Sequence, residues 1–318
     1  MRLKEMYELA VSKGIEADPR SKAEVEQALA DVRQAYDELK EKEKAEFDQD
    51  RFWNPYDDTR ILNGDPGAEV NSILVGIDME IGEVLLADRL NEKGMAIDAV
   101  VSHHPEGRAL AGLHGVMHLQ EDILAGLGVS VNIAEGLLSD RIKEVERSLM
   151  PVNHNRAIDA ARLLNLPMMC MHTPADNNVT QFLNDLFAKN EPRKVKHVVE
   201  LLKEIPEYAR AAMYSAGPKV IAGSPDRRAG KVFIDMTGGT SGSEDAYERL
   251  ADAGVGTIIC MHMKDEHRKK AEQYHINVVI AGHMASDSLG MNLILDEFEA
   301  RGVRITPCSG LIRVNRKQ

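Results

Sequence analysis

Two histidine signals stand far apart in the chain, His103-His104-Pro105 after one apolar run and Gly282-His283, with Asp287 four residues later, after another. Imidazoles and carboxylates are the donors that mixed nitrogen and oxygen metal sites use. Adjacent residues in an extended segment point to opposite sides, so His103 and His104 serve two ions more readily than they grip one. A helix beginning just after Gly282 would put His283 and Asp287 on one face. The chemistry to which these residues point is that of a divalent-metal centre.

The elements that must position them are legible in outline. Residues 73–77 form a short apolar run, a helical pattern follows through Ile81, Val84, Leu85 and Leu90, and a second run at 99–101 ends at His103, which reads as a β-α-β unit. Residues 231–234, 244–253 and 255–261 read as a second unit that delivers His262. Both first strands end in Ile-Asp-Met, at Asp78 and Asp235, and both units close on histidine at nearly the same interval. Two related α/β lobes facing each other follow from that repetition. Further strands at 167–171 and 277–281 lead into His172-Thr173-Pro174-Ala175-Asp176 and into Gly282-His283. Every candidate ligand thus follows a strand, where open α/β sheets collect their ligands.

Residues 22–48 carry apolar side chains at helical spacing and read as one long amphipathic helix, packed on the body or on another subunit. Residues 181–207 read as a helical connector between the lobes. The expected division is a helical N-terminal extension over 1–60, a first α/β lobe with a helical insertion over 61–207, and a second α/β lobe over 208–318.

The chain has 318 residues, enough for one or two domains with a large core. Its 51 acidic and 39 basic residues give a net charge of −12, which argues against general nucleic-acid or anionic-membrane binding. Cys170, Cys260 and Cys308 lie in or beside apolar stretches without close spacing, as reduced thiols in a cytosolic protein do. The first residues lack the apolar centre of a signal peptide, and no run approaches a membrane span. A cytoplasmic protein without membrane contact is the expectation.

In its three motifs, Val101-Ser102-His103-His104-Pro105, Met171-His172-Thr173-Pro174-Ala175-Asp176 and Ala281-Gly282-His283-Met284-Ala285-Ser286-Asp287, the sequence resembles the Nif-three-like family, many of whose members are labelled GTP cyclohydrolase I type 2 homologues. The resemblance spreads over residues 73–314. It implies two divalent metals held by His103, His104, Asp176, His283 and Asp287, and a ring-shaped homo-oligomer, often a hexamer. Asp176 is the expected bridge, since two close cations need an anionic ligand between them. The chain departs from the family in carrying Asp287 where Glu is usual, and in a long interval before Asp176 that contains a helical insertion around 133–149. The helices before residue 60 also lie outside the shared pattern.

Other residues have two readings each. His172 positions its loop, and His262 occupies the place of the first lobe's histidine and is a candidate for contact with the ligands. His114 and His118 stand four apart without a third ligand, so they read as structural, with His118 a candidate substrate contact. Thr237, Gly238, Gly239, Thr240 and Ser241 join a strand to a helix; their N-H groups can cradle phosphate, or the segment is a tight turn with Ser243 as helix cap. Glu106, just beyond the double histidine, is a candidate proton carrier.

These readings converge on a dinuclear-metal hydrolase of a small phosphorylated or heterocyclic metabolite, using zinc, iron, manganese, cobalt or nickel. The rival from another class is a protein that handles metal or regulates without turnover, or an interaction scaffold built on the N-terminal helices.

Overall fold

A computed structural model describes residues 1–317 as two sheets wrapped by helices. The strands are β1 (Thr59–Asn63), β2 (Ser72–Gly76), β3 (Ala99–Ser102), β4 (Met168–Met171), β5 (Lys219–Ala222), β6 (Lys231–Asp235), β7 (Val255–Cys260), β8 (Asn277–Ile280) and β9 (Arg304–Pro307). The first sheet has the order β1-β4-β3-β2-β9 and the second β5-β8-β7-β6. In each, an antiparallel edge strand (β1 or β5) leads into three parallel strands met in reverse chain order. This shared topology is the structural form of the repetition seen in the sequence.

β2, β3 and β4 are buried at every position, as parallel strands covered on both faces must be. Their apolar runs are therefore continuous. The three strands that the sequence reading lacks, β1, β5 and β9, are short edge strands, and each carries a charged residue.

The packing departs from the expected division in two places. Helix Leu3–Glu16 buries Leu3, Met6, Tyr7, Ala10 and Val11, a stripe at helical spacing, in the core of the first sheet. It is no outlying extension: a Cβ on its Gly14 would lie 2.8 Å from Pro174 at the start of helix Thr173–Asn190. At the other end, β9 returns to the first sheet and pairs in parallel with β2, so residues after 303 complete the first lobe. The expected single helix over 22–48 is broken at Leu39 into Lys22–Glu38 and Glu41–Glu46, and only Val25 of the longer piece is buried.

The insertion between β3 and β4 comprises helices Gly107–Ala111, Leu119–Leu127, Val131–Leu149 and Arg156–Leu163 with a 3-10 turn at Leu113–His118. Although it leaves the first sheet, its Met117, Leu124, Leu138 and Ile142 pack with Tyr247, Leu250 and Ile258 of the second. It therefore clamps the two lobes together. No helix among the described residues is long and apolar enough to cross a membrane.

Candidate metal centre

The double histidine follows directly on β3. His103 N donates to Gly76 O at 3.0 Å and His104 N to Ile77 O at 2.9 Å, so two successive amides turn to the β2 side, the strand's alternation ends, and the two rings stand with centroids 5.1 Å apart. Asp176 lies in the first turn of helix Thr173–Asn190, directly after β4, and His283 opens helix His283–Ala300 after β8, behind Gly282 in a positive-φ conformation (120°). The spacing of four puts His283 and Asp287 on one face of that helix, and their nearest side-chain atoms are 3.5 Å apart. The two helices cross where Gly290 meets Ala175, with the two aspartates beside the crossing.

All five candidates meet, in a pattern centred on Asp287. Its Oδ1 is 3.6 Å from His103 Nε2, which is itself 3.6 Å from Asp176 Oδ1. The other carboxylate oxygen, Oδ2, is 3.7 Å from His104 Nε2 and 3.5 Å from His283 Nε2. His103, Asp176 and Asp287 form one group close enough to hold a metal ion, and His104, His283 and Asp287 form a second; His103, His104 and His172 make a third. The place between the first two groups thus falls to Asp287, where the sequence reading put Asp176. Asp176 approaches His103 and, through Oδ2, His172 at 3.7 Å.

These distances fit ligands better than hydrogen bonds. Hydrogen bonds between nitrogen and oxygen run to about 3.2 Å, whereas two donors each about 2.1 Å from a tetrahedral cation stand about 3.4 Å apart. His103 Nε2, Asp176 Oδ1 and both Asp287 carboxylate oxygens are buried without a hydrogen-bond partner. Leaving such atoms unsatisfied is costly, and cations held by the two groups would satisfy all of them. The residues present therefore fit divalent metal.

The electrostatics point the same way. Burial pushes the Asp176 carboxyl up to about 7 and the Asp287 carboxyl well above the ordinary range, where Asp176 adds its repulsion. Burial together with the neighbouring imidazoles lowers His103 and His104 and brings His283 to about 4, leaving neutral rings with lone pairs to donate. His172 differs. Burial opposes its charged form, yet Asp176 and Asp58 raise it to about 9.

Two aspartates hold histidines from behind. Asp78 Oδ1 is 2.6 Å from His104 Nδ1, and Asp58 Oδ2 is 2.7 Å from His172 Nδ1. Such pairing fixes a ring's orientation and leaves its other nitrogen facing the ligand. Asp58 has no place in the sequence reading because it precedes an edge strand that the sequence does not reveal; its only signal is the Asp57-Asp58 pair that leads into β1.

The group opens into a cavity of about 300 Å³, lined by His104, His172, Asp176, His283 and Asp287 together with Thr237, Gly239, Thr240, Ser241 and His262. The ring of His262 is 4.9 Å from that of His283. Gly238, between the wall residues of the loop, is not part of the cavity lining. Ser243 does not cap a helix at 244: the helix begins at Ala246, and Ser243 accepts from Asp245 N. Two candidates are elsewhere. His118 is exposed and pairs with Glu121, and Glu106 faces Glu80 and Arg156 outside the cavity lining.

No protein-family model matches the sequence, and no curated protein matches it. Solved structures do. A crystal structure of a NIF3 superfamily protein from Sphaerobacter thermophilus aligns with a TM-score of 0.71 and 24% identity, covering 80% of this chain and 92% of that one. Reduced HcgD from Methanocaldococcus jannaschii aligns at 0.49 and 15% identity, over 85% of this chain and 97% of that one. A Bacillus cereus protein related to NIF3 aligns at 0.43 and 10% identity, over 82% and 93%. On the first of these likenesses, the chain has the NIF3 superfamily fold, the fold that the resemblance in its sequence implies.

Proposed function

We propose that the cleft holds two divalent cations, one at His103 Nε2, Asp176 Oδ1 and Asp287 Oδ1 and one at His104 Nε2, His283 Nε2 and Asp287 Oδ2, and that the protein is a metal-dependent hydrolase of a small phosphorylated or heterocyclic metabolite. The observation that carries this reading is the division of the two Asp287 oxygens between two histidine groups, each at 3.5 to 3.7 Å. Zinc, iron, manganese, cobalt and nickel all accept such donors. Bound there, a pair of divalent ions supplies Lewis acidity and lowers the pKa of water towards about 7.

The chain's own residues supply the rest. Asp78 fixes the tilt of His104, and His172, held by Asp58, presents Nε2 3.7 Å from Asp176 Oδ2. Leu110, Leu113, Met236 and Met261 give the cavity apolar walls that limit water. A volume of about 300 Å³ is at the small end of the usual range of about 300–1,000 Å³ for ligand pockets, which favours a compact substrate. Self-association belongs to the same proposal, with exposed Met213 and Tyr214 at a helix end as apolar surface for it.

The test is to screen metal-loaded protein against phosphoesters, cyclic nucleotides and GTP beside the Asp176→Ala variant. Turnover that this substitution abolishes supports the hydrolase. Two bound metals with no turnover on any substrate class would favour a metal-handling role instead.

A further inference from the structure

We infer that Gln120 and Arg141, both on the helical insertion, set the 237–242 loop as a cradle for an oxyanion, so that the substrate's anionic end is a phosphoryl group held between the loop and the metal pair. The inference rests on the dinuclear reading and adds the residues that shape the cavity's loop.

Gln120 Nε2 donates to Gly238 O at 2.6 Å and to Thr240 O at 2.7 Å, using both hydrogens of one amide. Arg141 Nε donates to Ser241 O at 3.0 Å. Three carbonyls of the loop are thereby turned towards the insertion. In a trans peptide the N-H points opposite to the C=O, and no peptide bond among the described residues is cis. The N-H groups of Gly239, Ser241 and Gly242 therefore point away from the insertion, and none of the three donates to a described residue.

The far side of the loop is the metal cavity. Gln120 lines a separate small hollow with Thr237 and Gly242, whereas Gly239, Thr240 and Ser241 line the cavity of the histidines and aspartates. Two of the loop's glycines, Gly238 and Gly242, leave room for Gln120. A Cβ on Gly242 would meet its Oε1 at 2.3 Å and one on Gly238 its Cγ at 2.6 Å, and Gly238 and Gly239 hold φ of 98° and 83°. The same cavity carries buried, unpartnered oxygens of Asp176 and Asp287, so a ligand that fills it can meet metal through the aspartates and the N-H groups of Gly239 and Ser241 from the loop. No lysine or arginine lines it. Neutral donors backed by cations suit a compact oxyanion, with the loop taking the oxygens that the metals leave.

The probe is inorganic phosphate titrated calorimetrically into manganese-loaded full-length protein, with metal content measured in parallel. Gln120→Ala should weaken phosphate about tenfold or more, as losing donors that set a charged contact does, while metal content stays at the wild-type value. Gln120→Lys, which can still donate to both carbonyls, should stay within about threefold. Should Gln120→Ala fail to fold, Gly242→Ala expels the same amide from the loop side and is expected to weaken phosphate equally. Phosphate affinity unchanged in the folded variant overturns the inference. If the wild type takes up no cations, the dinuclear reading fails, and the same titration of the metal-free protein still decides whether the loop binds phosphate through Gln120.

Discussion

Gly290 packs so closely on Ala175 that a Cβ added to it would stand 2.2 Å from the Ala175 carbonyl oxygen. That approach sets the separation of the two helices that carry Asp287 and Asp176. Gly290→Ala should force them apart, costing about 1–3 kcal/mol as overpacking does, and should lower metal content. Gly136→Ala is the control, since nothing lies within 4 Å of its would-be Cβ in a helix; it should stabilise by about 0.5–1 kcal/mol. Thermal melting and metal analysis of both variants check the pair.

Asp78 lies behind His104, not in the candidate coordination shell. Asp78→Asn keeps the size of the side chain but removes the charge facing His104 Nδ1. Affinity for the cation on the His104 and His283 side should fall about 10- to 100-fold, with the His103 side little changed. Competition with a chelator of known affinity resolves the two steps.

The division of Asp287 makes stoichiometry diagnostic. His283→Ala should leave one ion, held by His103, Asp176 and Asp287, whereas Asp287→Ala should lose both. In metal-free protein Asp287→Asn should be stabilising, because it removes a buried acid repelled by Asp176 and left without partners. Mass spectrometry of the native protein counts the ions.

The pH dependence of metal-free protein follows from the same groups. Asp176 is raised to about 7 and His172 to about 9, so the folded state holds protons that the unfolded chain releases above about 4 and about 6.5. Stability from these two is complete below the unfolded values and is lost as pH rises through the folded ones. His283, lowered to about 4, acts oppositely between about 4 and 6.5 and offsets Asp176 there. The net expectation is a melting temperature that falls from about pH 6.5 to 9 without metal. Loading removes that loss, because ligands must shed protons to bind, so the stabilisation by metal should grow over the same interval. Melting curves with and without metal across that range measure it.

Much of the site was readable because its residues follow buried strands. β2, β3, β4, β7 and β8 are largely apolar runs, and the candidate ligands stand where those runs stop. The spacing of His283 and Asp287 fixed their shared face once Gly282 opened the helix. Three things were not readable, each for a physical reason. These edge strands are short and carry charge within them, so β1 hid Asp58, and β9 hid the return of the chain to the first sheet. The choice of Asp287 over Asp176 as the central carboxylate depends on how two helices cross, which no local pattern encodes. Gln120 lies far along the chain from the loop it holds, and its amide becomes meaningful only once the insertion folds over the second sheet.

Anomalous diffraction at the metal edges, from crystals of metal-loaded protein, tests the central claim most directly. The account predicts two peaks about 3.5–4 Å apart, one among His103, Asp176 and Asp287 and the other among His104, His283 and Asp287. A single peak, or peaks to which Asp287 makes no bond, would contradict it.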